Sequence, residues 1–90
     1  MDSFTVDLSV TQDDIDRGVP ADSSNCPVAR RLIALGYQNV EVADQIDVTV
    51  EGILYRCDAP NEINDFVSAF DDRGPRAVEP FTVNLLFWRV

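Results

Sequence analysis

The stretch "IDVTVEGILYRC" at residues 46–57, followed at 61–71 by "NEINDFVSAFD", decides the fold class. Ile46, Val48 and Val50 share one face of an extended chain, and Asp47 and Thr49 share the other. Past Glu51-Gly52, Ile53, Tyr55 and Cys57 alternate with Leu54 and Arg56. Two runs of period two with two residues between them read as a β-hairpin, although Glu-Gly is a weaker turn signal than Asn-Gly. The period then changes. Ile63, Phe66, Val67 and Phe70 fall at i, i+3, i+4 and i+7, the apolar stripe of an amphipathic helix. Asp58 or Asn61 is placed to cap it, Glu62 suits its first turn, and Gly74-Pro75 stops it.

Outward from this core the same two periods recur. "YQNVEVA" (37–43) gives another strand, with Val40 and Val42 inward and Asp44-Gln45 as the turn that follows. "CPVARRLIALG" (26–36) reads as a helix in which Val28, Leu32 and Leu35 repeat beside Ala29 and Ile33. Pro27 suits its first turn, Ser24 or Asn25 its cap and Gly36 its left-handed end, with Arg30 and Arg31 toward solvent. "SFTVDLSV" (3–10) alternates Phe4, Val6, Leu8 and Val10 against Thr5, Asp7 and Ser9, a half-buried strand. Thr11 can cap one turn through Asp14 to Asp16, which Gly18 ends, and 17–25 reads as an ordered loop. "VEPFTVNLLFWRV" (78–90) reads as a strand in which Phe81, Val83, Leu85 and Phe87 alternate with Thr82, Asn84, Leu86 and Trp88, so that its second face turns apolar toward its end. The expectation is one α+β domain over residues 1–90, in the order β-α-β-β-β-α-β. It has one mostly antiparallel sheet of four to five strands and two helices packed on one face.

Charge is the most unusual property of the chain. Sixteen acids stand against seven arginines, with no lysine or histidine, for a formal net charge of −9 and a pI near 4.1. Such a field repels nucleic acid and anionic membrane and attracts basic partners, so direct nucleic-acid binding is not expected. Acidity also serves solubility, or follows from host composition, and that explanation stands beside the functional one. No apolar run is long enough to span a bilayer, and the opening residues lack a signal-peptide pattern, so a cytoplasmic protein is expected.

Without histidine, no Ser-His-Asp or Cys-His arrangement exists. A carboxylate pair for general acid–base work has sixteen candidates and nothing to single out two of them. Cys26 and Cys57 are neither a C-x-x-C motif nor a zinc set, and "TQDD" and "DDRG" lack the EF-hand pattern. Both cysteines read as reduced core residues, although Cys26 at a helix start is where a low-pKa thiol would sit. No enzyme activity, metal site or cofactor is expected. Two acid clusters read as partner-binding patches: Asp13, Asp14 and Asp16, which no requirement of the fold explains, and Asp71 with Asp72. Outward acids two apart on a strand are spaced roughly like phosphates on one DNA strand, at about 6.6 Å. Leu86 and Trp88 complete the candidate set. Either their strand is central and covered on both faces, or they form a partner surface, of which a homodimer is the natural form.

Ile15 and Gly18, followed by Cys26, Pro27, Val28 and Ala29, resemble an Ile-x-x-Gly … Cys-Pro-Val-Ala motif. That motif marks a small family of uncharacterised actinobacterial and phage proteins. A downstream Phe-containing helix (Phe66, Phe70) and a final Pro-Phe strand (Pro80, Phe81) extend the resemblance over most of the chain. The resemblance implies a phage or mobile-element origin and carries no activity. In size, charge and origin the chain is also similar to acidic phage inhibitors of host nucleic-acid enzymes, including anti-CRISPR proteins. The leading expectation is a non-catalytic protein-binding module that mimics nucleic acid and occupies the basic surface of a host protein. A small homo-oligomeric accessory or structural protein comes second, and a carboxylate- or metal-dependent enzyme last.

Overall fold

In the computed structural model, residues 2–90 are described. Five strands form one sheet: β1 (Ser3–Val10), β2 (Gln38–Val42), β3 (Gln45–Val50), β4 (Ile53–Asp58) and β5 (Phe81–Arg89). Their spatial order is β1-β5-β4-β3-β2, and every pairing is antiparallel. The meander β2-β3-β4 follows from its short turns. Glu51 and Gly52 both take positive φ, 52° and 80°, the left-handed pair that a two-residue hairpin requires. The last strand enters between β4 and β1, with Ser3 opposite Trp88 and Val10 opposite Phe81.

Three helices complete the domain: α1 (Gln12–Arg17), α2 (Pro27–Ala34) and α3 (Asn61–Arg73), with a 3₁₀ turn at Pro75–Ala77. The order is therefore β-α-α-β-β-β-α-β, one helix more than the sequence pattern led us to expect. The addition is the turn after Thr11, which a capping box lengthens into a six-residue helix. The Thr11 hydroxyl accepts from the Asp14 amide, and the Asp14 carboxylate accepts from the Thr11 amide at 2.9 Å.

Burial alternates along the strands, less sharply around the β3–β4 turn, where Thr49, Val50 and Ile53 are all half-buried. Val6, Leu8, Val42, Ile46, Val48, Tyr55, Val83, Leu85 and Phe87 turn inward to meet Ile15, Val28, Leu32, Ile63, Phe66 and Phe70 from the helices. At one end, the Phe4 ring lies 5.3 Å from that of Phe87 and 4.9 Å, edge-on, from that of Tyr55. At the other, Phe66 meets Phe81 at 4.7 Å. The helices thus cover one face of the sheet, as the pattern implied, and the other face stays open.

Two local expectations are corrected. The N-caps of α2 and α3 are Cys26 and Pro60, neither of which supplies a side-chain cap. Ser24 and Asn25 lie too early, because Asp22 gathers that loop: its carboxylate accepts from the Ser24 amide and the Asn25 side chain. Arg31 stays partly exposed, but its guanidinium reaches across to α1.

Candidate functional site

The joint between α1 and α2 accounts for most of the motif quoted above. Ile15, Cys26, Val28 and Ala29 are buried. A side-chain carbon on Gly18 would stand 2.6 Å from Pro27 Cδ and 2.9 Å from the Asp14 carbonyl oxygen, so only glycine lets the two helices approach so closely. Across the joint, Arg31 Nε donates to Asp14 Oδ2 at 2.9 Å and Arg31 Nη2 to Oδ1 at 3.3 Å. This constellation is packing and pairing, not a reactive site.

That pair changes the status of one proposed contact residue. Asp14 is only 3% exposed. Burial pushes its carboxyl up, but hydrogen bonds from Arg31 and from the Thr11 amide and hydroxyl outweigh it and hold the pKa below the usual value. The expectation that no requirement of the fold explains the Asp13-Asp14-Asp16 cluster fails at its middle member. Asp13 and Asp16 are exposed, the first paired with Arg17 at 2.8 Å and the second accepting from Gln12 at 2.9 Å. Asp71 is exposed but holds the Ala21 amide at 2.8 Å, where the chain takes a φ of 58°. Asp72 is exposed.

A cleft of about 530 Å³ lies between the 21–26 loop, the β2–β3 turn and α3, and its lining includes Asp22, Asp44, Asp71, Asn64, Ser68 and Cys26. Two of its groups have displaced pKa values, Cys26 upward and Asp22 downward. Burial raises the Cys26 pKa, and the Asp71 and Asp22 carboxylates raise it further, against the pull of the Ala29 and Val28 amides at the start of α2. Asp22 is held below the ordinary carboxylate value by the Asn25 side chain and the Ser24 amide, the wrong direction for a general acid. Cys57 is likewise raised by burial, and both thiols are free. Among the described residues, no three His, Cys, Asp or Glu side chains are placed to hold a metal ion.

The open face of the sheet is different. β5 is an interior strand, but of the alternative that had it central and covered on both faces only the first half holds, since no helix covers its outer side. Leu86 is 53% exposed and Trp88 37%. Leu54 and Val90 join them as exposed apolar neighbours, linked by the Val90 amide donating to the Leu54 carbonyl. The same outward face carries Asp7 on β1, Asp58 on β4, Asp47 on β3 and, farther off, Glu41 on β2. The cation among these outward positions, Arg56, is bound to Asp47 by two hydrogen bonds of 2.8 and 3.3 Å. A hollow of about 280 Å³ opens beside Trp88, lined in part by Leu86, Asn84, Asp58 and Pro60. Periodicity identified Leu86 and Trp88. It missed Leu54 and Asp58, whose signal was their outward parity on β4 next to that strand.

Among the described residues, no helix is long and apolar enough to cross a membrane. Comparison with protein-family models, curated proteins and solved structures finds no match.

Proposed function

We propose that this protein is a non-catalytic, cytoplasmic binding module whose partner presents a basic surface. It would act in the manner of an acidic, anti-CRISPR-like phage inhibitor that stands in for nucleic acid on a host protein. The observation that carries the reading is the open sheet face, where Leu54, Leu86, Trp88 and Val90 lie exposed within a field of carboxylates. Apolar contact area with an acidic surround is what a desolvating, charge-steered interface needs. The exposed acids Asp13, Asp16, Asp71 and Asp72 extend that field over the helical side. The Cys-Pro-Val-Ala resemblance favours a phage or mobile-element source.

The test is capture from host lysate at low and high salt, with nucleic acid as competitor. Variants carrying Asp13→Asn, Asp16→Asn and Asp72→Asn together should bind more weakly than wild type, mainly through slower association, with stability changed by no more than about 1 kcal/mol. Equal affinities, insensitive to salt and to added DNA or RNA, remove the mimic reading. The same exposed Leu86 and Trp88 favour a second reading, a homodimeric accessory protein. Light scattering decides it, by reporting one or two copies of the 10.0 kDa chain.

A further inference from the structure

We propose that the hollow beside Trp88 seats an arginine side chain projected by the partner protein. The inference rests on the reading of the chain as an acidic binding module and adds the chemistry of its anchor. Three wall elements suit one ligand. Trp88, 37% exposed, lines it, and an indole is the best aromatic partner for a cation. Leu86 and Pro60 offer apolar area that covers an aliphatic stem. Asp58 also lines it: one of its oxygens accepts from Gln45 at 3.0 Å, and its charge is shared only at longer range with Arg56, whose two hydrogen bonds go to Asp47.

The chain's own cation does not fill this role. Arg56 sits directly across from Trp88 in the sheet, but its guanidinium is turned to Asp47 and held there by two bonds. A second copy of the chain is a poor occupant, because its outer face would bring Asp7, Glu41 and Asp58 against their like at −9 per copy. Arginine fits better than lysine, since a planar guanidinium stacks on a ring and bonds a carboxylate at the same time.

Trp88 is the single tryptophan of the chain, so its fluorescence reads the hollow directly. The probes are N-acetylarginine amide and a six-residue peptide alternating arginine and leucine, with the citrulline counterpart as the uncharged isostere. The arginine peptide should change Trp88 emission saturably at low salt, and the citrulline peptide should bind at least about tenfold more weakly. Asp58→Asn should weaken binding by about fivefold or more, whereas Asp65→Asn removes one charge from α3 with a much smaller effect. Trp88→Thr should abolish binding, read by the Asn84 side-chain amide resonances, and Trp88→Phe should keep part of it. Equal affinity of Asp58→Asn and Asp65→Asn, or survival of binding in Trp88→Thr, overturns the hollow and leaves the acidic-module reading standing. Absence of any response to the arginine peptide also overturns it, and lysate capture then judges the broader reading by itself. Self-association with Trp88 protected in a dimer overturns it as well.

Discussion

Replacing Asp14 by asparagine tests how the small helix α1 is held. Asp14 Oδ2 receives three donors, the Thr11 amide, the Thr11 hydroxyl and Arg31 Nε, each at 2.9 Å. Oδ1 receives Arg31 Nη2 at 3.3 Å. Asparagine has the same shape but one acceptor oxygen, so either the cap or the guanidinium faces an NH₂ group instead. Losing one charge-assisted bond costs about 1.5–3 kcal/mol. Arg31 keeps 27% of its side-chain area in water and can turn outward, so the larger penalty for a fully buried orphan charge does not apply. We expect about 2 kcal/mol, a large share of the ~5 kcal/mol that a domain of this size commonly has. Tm should fall by roughly 8–16 °C. Asp13→Asn is the control, since its pair with Arg17 is two-thirds exposed at both ends and is worth at most about 1 kcal/mol. The pH dependence carries a sign. The folded pKa of Asp14 lies below its ordinary value of 3.8, so the unfolded chain binds the extra proton. The pair's stabilisation is complete above that ordinary value and disappears as pH falls through the folded pKa. In urea titrations from pH 7 to pH 2 the gap between wild type and Asp14→Asn should therefore narrow toward the acid end. Identical midpoints at pH 7, or a gap that stays constant down to pH 2, would refute this account of the joint.

The remaining expectations are simpler. Gly18→Ala should destabilise by about 1–3 kcal/mol in the same melts, because the added methyl meets Pro27 at 2.6 Å. Phe70→Ala should cost about 3–5 kcal/mol and can unfold the domain outright, since the ring is fully buried. Thiol reagents should modify Cys26 and Cys57 slowly in native protein and quickly in denaturant. Fast labelling of Cys26 alone would contradict its buried, raised-pKa setting.

The strands and α3 were legible because their side chains obey a period, and the period fixes the buried face; in α2 it holds for Val28, Ala29 and Leu32 but not for Ile33 and Leu35, which stand exposed. Ile46, Val48, Tyr55 and Cys57 are inward as read, and so are Ile63, Phe66 and Phe70. Pairing across the sheet was not legible. Nothing in the alternation of 81–89 states that this strand inserts between β4 and β1, because that depends on which edge is free once the meander has formed. The candidate site divides the same way. Leu86 and Trp88 were visible as apolar residues on a polar parity. Asp14 was misread because a carboxylate at the third helical position looks identical in sequence whether it faces water or an arginine from the next helix. Its capping box with Thr11 was the available signal.

The position of β5 also has a consequence for how the chain reaches this structure. Residues 81–89 pair with residues 3–10, close to the greatest separation the chain allows, and they occupy an interior place in the sheet. A growing chain can assemble β2, β3 and β4 early, because those contacts are local. Until β5 is made, β1 has no strand to lie against, and the flank of β4 is an unsatisfied edge. Closing so long a loop before its contacts reward it slows folding and leaves a strand-accepting intermediate. The vulnerable moment is the interval before the last strand docks, when another chain's β5 could enter the same gap and exchange strands between molecules.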